Sequence, residues 1–247
     1  MGAIFIKELR CMLLSPLAWS LLAVLQLLLA WLFLVQLEQY LEIQPRIAVL
    51  ENAPGVTQLV VIPLLDSAAV IAMLLIPLLS MGLLSREYQS GTIHLLLSAP
   101  VGAGQIILAK YLALLIVAAI MLILIAAMPL SLLLGTGLDL GTLLAGLLAL
   151  ALSLAAFAAL GLCISGLTPQ PAVAAIISYG ALLLLWLINL AGSGGENSLL
   201  EMLSLSHHFR RMLTGLVTSE DIAYFVLLVL VCLSLAIHRL DGVRRWS

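Results

Sequence analysis

Residues 86–101 read REYQSGTIHLLLSAPV, and they interrupt a chain that is otherwise almost continuously apolar. A charged pair, Arg86 and Glu87, opens the stretch. Gly91 and Thr92 follow, then the leucines Leu95, Leu96 and Leu97, and a proline stop at Pro100. Read as a helix, the segment sets Glu87, Gly91 and Leu95 about one turn apart, and Thr92 and Leu96 likewise. Such a helix lies along a membrane surface with its leucines down and its polar start exposed. Gly91 leaves room for another backbone to approach, and Thr92 can cap, or bond back to Glu87 or to the backbone. Its meaning depends on what flanks it.

The flanks are oil. Of 247 residues, 64% are hydrophobic and 9% charged, with a mean hydropathy of +1.26. A soluble domain carries about a quarter charged residues, so this composition calls for lipid. One bilayer crossing takes about 20 apolar helical residues, and six runs qualify: 17–37, 64–84, 106–134, 141–166, 172–191 and 222–238. Strand-type alternation is missing. The expected fold is therefore an all-α polytopic membrane protein, with residues 1–247 as one transmembrane domain. Pro63 opens the second span, where its missing N–H costs little; GTGLDLGT at 135–142 and TPQP at 168–171 make turns between spans. The third run is long for one crossing, which implies tilt or projection.

Three pieces lie outside the spans. Residues 1–14 place Phe5, Leu9 and Met12 on one helical face with Lys7 and Arg10 off it, the pattern of a helix lying in the interface. Residues 38–62 read as a loop broken by NAPG, and 192–221 as a segment that opens with GSGGENS. That segment closes on Thr218, Ser219, Glu220 and Asp221, a helix start for the last span. Lys7, Arg10, Arg86, Lys110, Arg239, Arg244 and Arg245 fall on one side of the membrane, and only Arg46, Arg210 and Arg211 on the other. The positive-inside rule then puts both termini and residues 86–100 in the cytoplasm, and 192–221 outside as a periplasmic or re-entrant segment. Lys110, near a span end, is expected to snorkel to the inner surface.

What is missing excludes several classes. The only lysines are Lys7 and Lys110, and neither closes a G-x-x-x-x-G-K-[ST] loop, so ATP has no such site here. Mid-span carboxylates or histidines of the kind that serve ion-coupled transporters are wanting. No H-E-x-x-H, paired aspartate or Ser/His arrangement offers catalysis, and no basic cluster suits nucleic acid. Cys11, Cys163 and Cys232 are widely spaced and read as small packing residues. His207 and His208 have no third ligand nearby and hold no metal; with Arg210 and Arg211 they are candidates to meet a periplasmic partner or an anionic headgroup, or simply to pack at the interface. Ala151, Ala155 and Ala159 recur every four residues, with Gly161 beside them, and small residues so spaced let helices approach, within one chain or across a dimer seam. Gln26 and Asn189, isolated in spans, read as bonds to neighbouring helices. A chain of this kind that moves something draws its energy from another subunit.

Residues 86–100 also carry a resemblance. Glu-x-x-x-Gly-Thr, a leucine run and Ser-Ala-Pro-Val, lying between the second and third of six spans, resemble the first cytoplasmic loop of ABC-2-type transporter permeases. The resemblance implies a type V exporter-like fold in which this loop is the coupling helix, with Arg86, Glu87, Gly91, Thr92, Leu96 and Pro100 at the ATPase-coupling positions. It implies two copies of a P-loop ATPase as partners, a second copy of the chain, a bacterial inner-membrane location, and no cofactor in this chain, ATP and Mg belonging to the ATPase. Residues 203–225, with Ser-x-His-Phe and Asp-Ile-x-Tyr-Phe, resemble the gliding-motility (GldF-like) permeases, which implies a periplasmic membrane-anchored GldG-like partner. The rival readings are a non-transporting membrane scaffold, for which the same helix is only a docking surface, and an ion-coupled carrier, which the lack of buried ionisable groups weakens.

Overall fold

The computed structural model describes residues 2–47, 55–92, 101–134, 137–192 and 202–246, and among them every regular element is helical. In chain order these are α1 (Gly2–Leu13), α2 (Pro16–Ile47), α3 (Ile62–Ser80), α4 (Gly82–Gln89), α5 (Ala103–Ser131), α6 (Leu140–Ser165), α7 (Pro171–Gly192), α8 (Leu205–Leu213) and α9 (Ser219–Trp246). Six stretches are long and apolar enough to cross a membrane: α2, α3 continued by α4, α5, α6, α7 and α9. The chain is a multi-pass membrane protein of the expected all-α class.

At the centre stands α6, packed against α3, α5, α7, α8 and α9. Of its most apolar window 72% is buried, against 22% for α2, α7 and α9, which form the periphery. Small residues explain this placement, because without a hydrophobic drive between helices in lipid, close van der Waals approach holds them together. Gly146 faces Leu65 and Gly161 faces Ser80, and a Cβ at either glycine would collide with α3. Ala149, Ala156, Ala158 and Ala159 are buried between them. The outer helices turn Leu27, Trp31, Ile176, Leu184, Leu227 and Leu230 outward, as a lipid-facing surface requires.

The expected boundaries shift in four places. Residues 38–47, read as the start of a loop, continue α2 to Ile47, because Glu38, Gln39, Leu41, Glu42 and Gln44 are good helix formers despite their polarity. The second span starts earlier than 64, through a π-helical turn at Thr57–Val61 in which the Ile62 N–H donates to Thr57 O, directly before Pro63. The last helix runs past 238 to Trp246, with Leu240 buried. Finally, α4 does not extend through Gly91. It stops at Gln89, and Gly91 takes a positive φ of 70°, the left-handed cap conformation that favours glycine.

Candidate functional site

Three helices converge on one ammonium at the α1 end of the bundle. Lys110, on α5, is 1% exposed, and its Nζ donates to Glu8 Oε1 of α1 at 2.9 Å, to Glu87 Oε1 of α4 at 2.8 Å and to Leu83 O of α4 at 2.8 Å. A lysine ammonium has three donors, and all three are used. Its side chain therefore does not snorkel to the surface as expected: two carboxylates and a carbonyl give it an internal solvation shell. Lys7 Nζ lies 4.0 Å from Glu8 Oε1 at the exposed edge. Glu87 is thus an internal ligand, and its second oxygen, Oε2, is buried without a hydrogen-bond partner among the described residues.

The sequence carried a signal for Glu8 that is visible in retrospect. Phe5, Glu8, Leu9 and Met12 follow i, i+3, i+4, i+7 spacing, so Glu8 occupies the apolar face of α1. Met12 is buried with it, and Phe5 and Leu9 are packed against the core.

Below the triad, α3 passes into α4 at Met81, and α6 grips the junction. Ser165 Oγ accepts from the N–H groups of Leu84 at 3.1 Å and Ser85 at 3.2 Å and donates to Met81 O at 2.8 Å. Ser85 Oγ lies 3.0 Å from Ser165 Oγ and within reach of Ser165 O and Met81 O. Serine hydroxyls here satisfy backbone groups that an interrupted span would leave bare.

From this root the chain turns outward. Arg86, Gln89, Ser90, Gly91 and Thr92 are exposed. Arg86 lies back over Gly82 and lines a shallow cleft of about 110 Å³ with Glu8, Cys11, Met12 and Ser15. Thr92 Oγ1 sits 2.8 Å from Ser90 Oγ, so its partner is Ser90 rather than Glu87. Among the described residues nothing lies where a Gly91 Cβ would stand, and among them the glycine serves the turn and not a close backbone approach. Leu96 and Pro100 lie outside the described residues. Where the chain is described again, Arg244 Nη1 of α9 donates to Val101 O at 3.2 Å, a contact that the expected end of the last span at 238 did not foresee.

The opposite end holds a second polar cluster. Ser204 caps α8, accepting from His207 N at 3.3 Å, and Thr218 starts α9 with Asp221 Oδ2 accepting from its hydroxyl at 2.7 Å and its N–H at 3.4 Å. The carboxylate does more than cap. Asp221 is fully buried, with His208 Nδ1 at 2.7 Å from Oδ1 and Arg211 Nε donating to Oδ2 at 3.1 Å. Arg211 also donates to Thr218 Oγ1 at 2.6 Å and Glu220 Oε2 at 3.3 Å, and the bond to Asp221 is the main cause that holds its guanidinium above the ordinary value. The His208 ring stacks on Tyr224 at 4.4 Å and its Nε2 lies 3.0 Å from Met202 O. Arg210 donates to Asp66 Oδ2 at 3.3 Å. Of the four candidates for a partner or headgroup, His208, Arg210 and Arg211 make hydrogen bonds within the chain, and His207, His208 and Arg211 line an open groove of about 470 Å³ with Met202, Glu220 and Tyr224. Among the described residues no group of three potential metal ligands occurs.

Of the small-residue candidates, Ala159 and Gly161 are buried within the chain, Ala155 O accepts from Tyr111 Oη at 3.1 Å, and Ala151 is half-buried at an open pocket that it lines with Leu115, Ala118 and Leu122 of α5.

The family model described as ABC-2 family transporter protein matches residues 2–241. The chain belongs to the ABC-2 family of transporter proteins, as a membrane subunit that is not itself catalytic. A search of curated proteins finds no match to it.

Proposed function

We propose that this chain is the permease of an ATP-binding cassette transporter, in which residues 86–100 dock a separate P-loop ATPase and receive its stroke. The observation that carries this reading is the α4 terminus: an exposed turn, Gln89 to Thr92, projects from a root fixed by a buried ion triad and a serine clasp. An exposed tip on a rigid root can take up a push without dissipating it. Two chains with two ATPase subunits make the working complex, and ATP and Mg reside in the ATPase. The α1 end faces the cytoplasm of a bacterial inner membrane, since that end gathers the excess of lysine and arginine. Closure of the ATPases rocks the spans to export a cargo or to transmit force to a periplasmic GldG-like partner, the groove beside His207 offering one place for such a partner or a headgroup. The likeness of residues 203–225 to the gliding-motility permeases supports counting the chain among the GldF-like group.

The test is affinity purification from the native host in mild detergent, with mass spectrometry and an ATPase assay. It is run beside Arg86→Glu/Thr92→Trp, a variant altered only at exposed positions. A P-loop ATPase is expected with the wild-type chain and lost, or uncoupled, with the variant. Identical partners for both and no ATPase would instead leave the chain as a membrane scaffold.

A further inference from the structure

The N-terminal helix has the composition of a surface raft, yet its contacts are those of a machine part. Beyond the apolar seat of Met12, α1 is held by Glu8, whose carboxylate meets a lysine that reaches across from α5 and in the same stroke binds Glu87 and Leu83 O of α4. The apolar contacts of α1 run along α5 and hardly reach α4, so packing alone gives α1 no firm link to the docking root. A buried ammonium cannot release a carboxylate easily, since the separated charges would stand uncompensated in a low dielectric. Contacts of the first kind position α1; contacts of the second kind make it follow.

We propose that Lys110 is a positioning residue that joins α1 to the root of the docking segment, so that α1 moves with α4 when the ATPase acts. The inference rests on the docking reading given above. Glu87 is the input side of the joint, because it stands one turn before the exposed tip. Glu8 is the output side, and it delivers the displacement to α1 and onward to α2, whose Trp19 Nε1 donates to Leu13 O at the end of α1 with a 2.6 Å bond. Through this route a push at the inner surface reaches the first span as well as the second and third. The amphipathic helix is then a lever, and its lipid-facing side is its bearing.

The experiment places spin labels on a background with Cys11, Cys163 and Cys232 replaced. Labels at Arg10 (α1) and Gln89 (α4 tip) are each paired with one at Leu167, at the end of the central helix, and a third pair joins 10 to 89. Distances are read in nanodiscs, for the chain alone and for its complex with the co-purified ATPase, nucleotide-free and vanadate-trapped. In the wild-type complex both 89–167 and 10–167 are expected to shift on trapping. In Glu8→Leu, which leaves Lys110 paired with Glu87 and so spares the fold, the 89–167 shift persists and the 10–167 shift is lost. Lys110→Met should lose the same shift, and the exchange Glu87→Lys/Lys110→Glu, which keeps two carboxylates and one ammonium in the cluster, should recover it. A 10–167 shift unchanged in Glu8→Leu overturns the joint, as does a wild-type 10–167 distance that ignores a moving 89–167. If no ATPase co-purifies or neither distance moves, the docking reading falls. The joint is then judged on the chain alone, where a 10–89 distribution as narrow in Glu8→Leu as in wild type overturns it and a broadened one upholds it.

Discussion

The polar clusters at the two ends of the bundle use the same kinds of side chain and do opposite things with them. Around Asp221, the partners His208, Arg211 and Thr218 lie 13, 10 and 3 residues away, so the cluster folds one helix–turn–helix corner onto itself. Around Lys110, the partners Glu87 and Glu8 lie 23 and 102 residues away, and the cluster ties α4 to α1 and α5, which pack along each other but otherwise barely meet α4. The Asp221 carboxylate is oversupplied with donors; the Lys110 ammonium is outnumbered by carboxylates, with Glu87 Oε2 left over. A saturated local knot stiffens a corner. A sparse knot between distant segments transmits displacement, and it sits where the proposed ATPase would push.

The sharpest way to break this comparison is to remove each hub. Lys110→Met leaves the buried Glu8 and the half-buried Glu87 carboxylates without the ammonium between them, a loss of up to about 3–5 kcal/mol, the range for deleting one partner of a buried pair. Hydrogen exchange should show lost protection in Gly2–Leu13 and Gly82–Gln89 together, with a lower thermal midpoint in detergent. Asp221→Ala deletes an acceptor of charged hydrogen bonds, a loss of about 1.5–3 kcal/mol, and Arg211 retains Glu220 and Thr218. Lost protection should stay within residues 203–225. If the Asp221 variant loosens α1, or the Lys110 variant leaves α4 untouched, the contrast between local and transmitting clusters is wrong.

Most of the architecture was legible in the sequence because lipid imposes it. Six long apolar runs without strand-type alternation have to be six helices, since backbone groups inside a bilayer satisfy themselves only in helices or closed barrels. The failures share a cause. Residues 38–47 looked like loop because they are polar, yet Glu, Gln and Leu propagate a helix that has already started. Lys110 looked like a snorkelling end residue because its two counter-ions lie in segments that spacing cannot relate to it. Glu8 was hidden in the same way: its place on the apolar face of α1 is a local anomaly, and only the fold supplies the ammonium that explains it. The sequence around Asp221 shows only its helix start, because capping is local and the reach of His208 and Arg211 across the turn is not. Gly91 fits a continuing helix by spacing, whereas its positive φ ends one; the composition around it permits either.

Between the two clusters the fit of α3 on α6 gives a smaller test, one that treats both ends alike. Gly161 faces Ser80 so closely that a Cβ would collide with its side chain. Gly161→Ala should cost about 1–3 kcal/mol, the usual range for overpacking, and Ser80→Gly in the same chain should recover much of it by vacating the contested volume. An additive loss in the double variant would mean that the helices separate instead of meeting at this point, and would displace the serine clasp at Ser165, one turn further along α6, as the holder of the α3–α4 junction.

The smallest effect belongs to the α8 end, where α6 starts. Asp139 caps that helix: its carboxylate accepts from the Thr142 hydroxyl at 2.6 Å, from Thr142 N at 3.4 Å and from Gly141 N at 3.0 Å. Those bonds, the Thr142 hydroxyl first, hold the carboxyl below its usual range. A lowered value in the folded chain means that the carboxylate form contributes stability at neutral pH. That contribution is complete above the ordinary carboxylate range, near pH 4, and is lost as the pH falls through the folded value. Asp139→Asn keeps an oxygen acceptor for the cap but cannot titrate. The thermal midpoint of the wild type should therefore drop slightly more than that of the Asn variant between pH 6 and pH 3, both values chosen to bracket that range. The difference should be far smaller than the loss from either buried hub, because this carboxylate is exposed to solvent and water competes for its donors. Parallel curves for the two proteins would show that the cap owes its strength to geometry alone and not to charge.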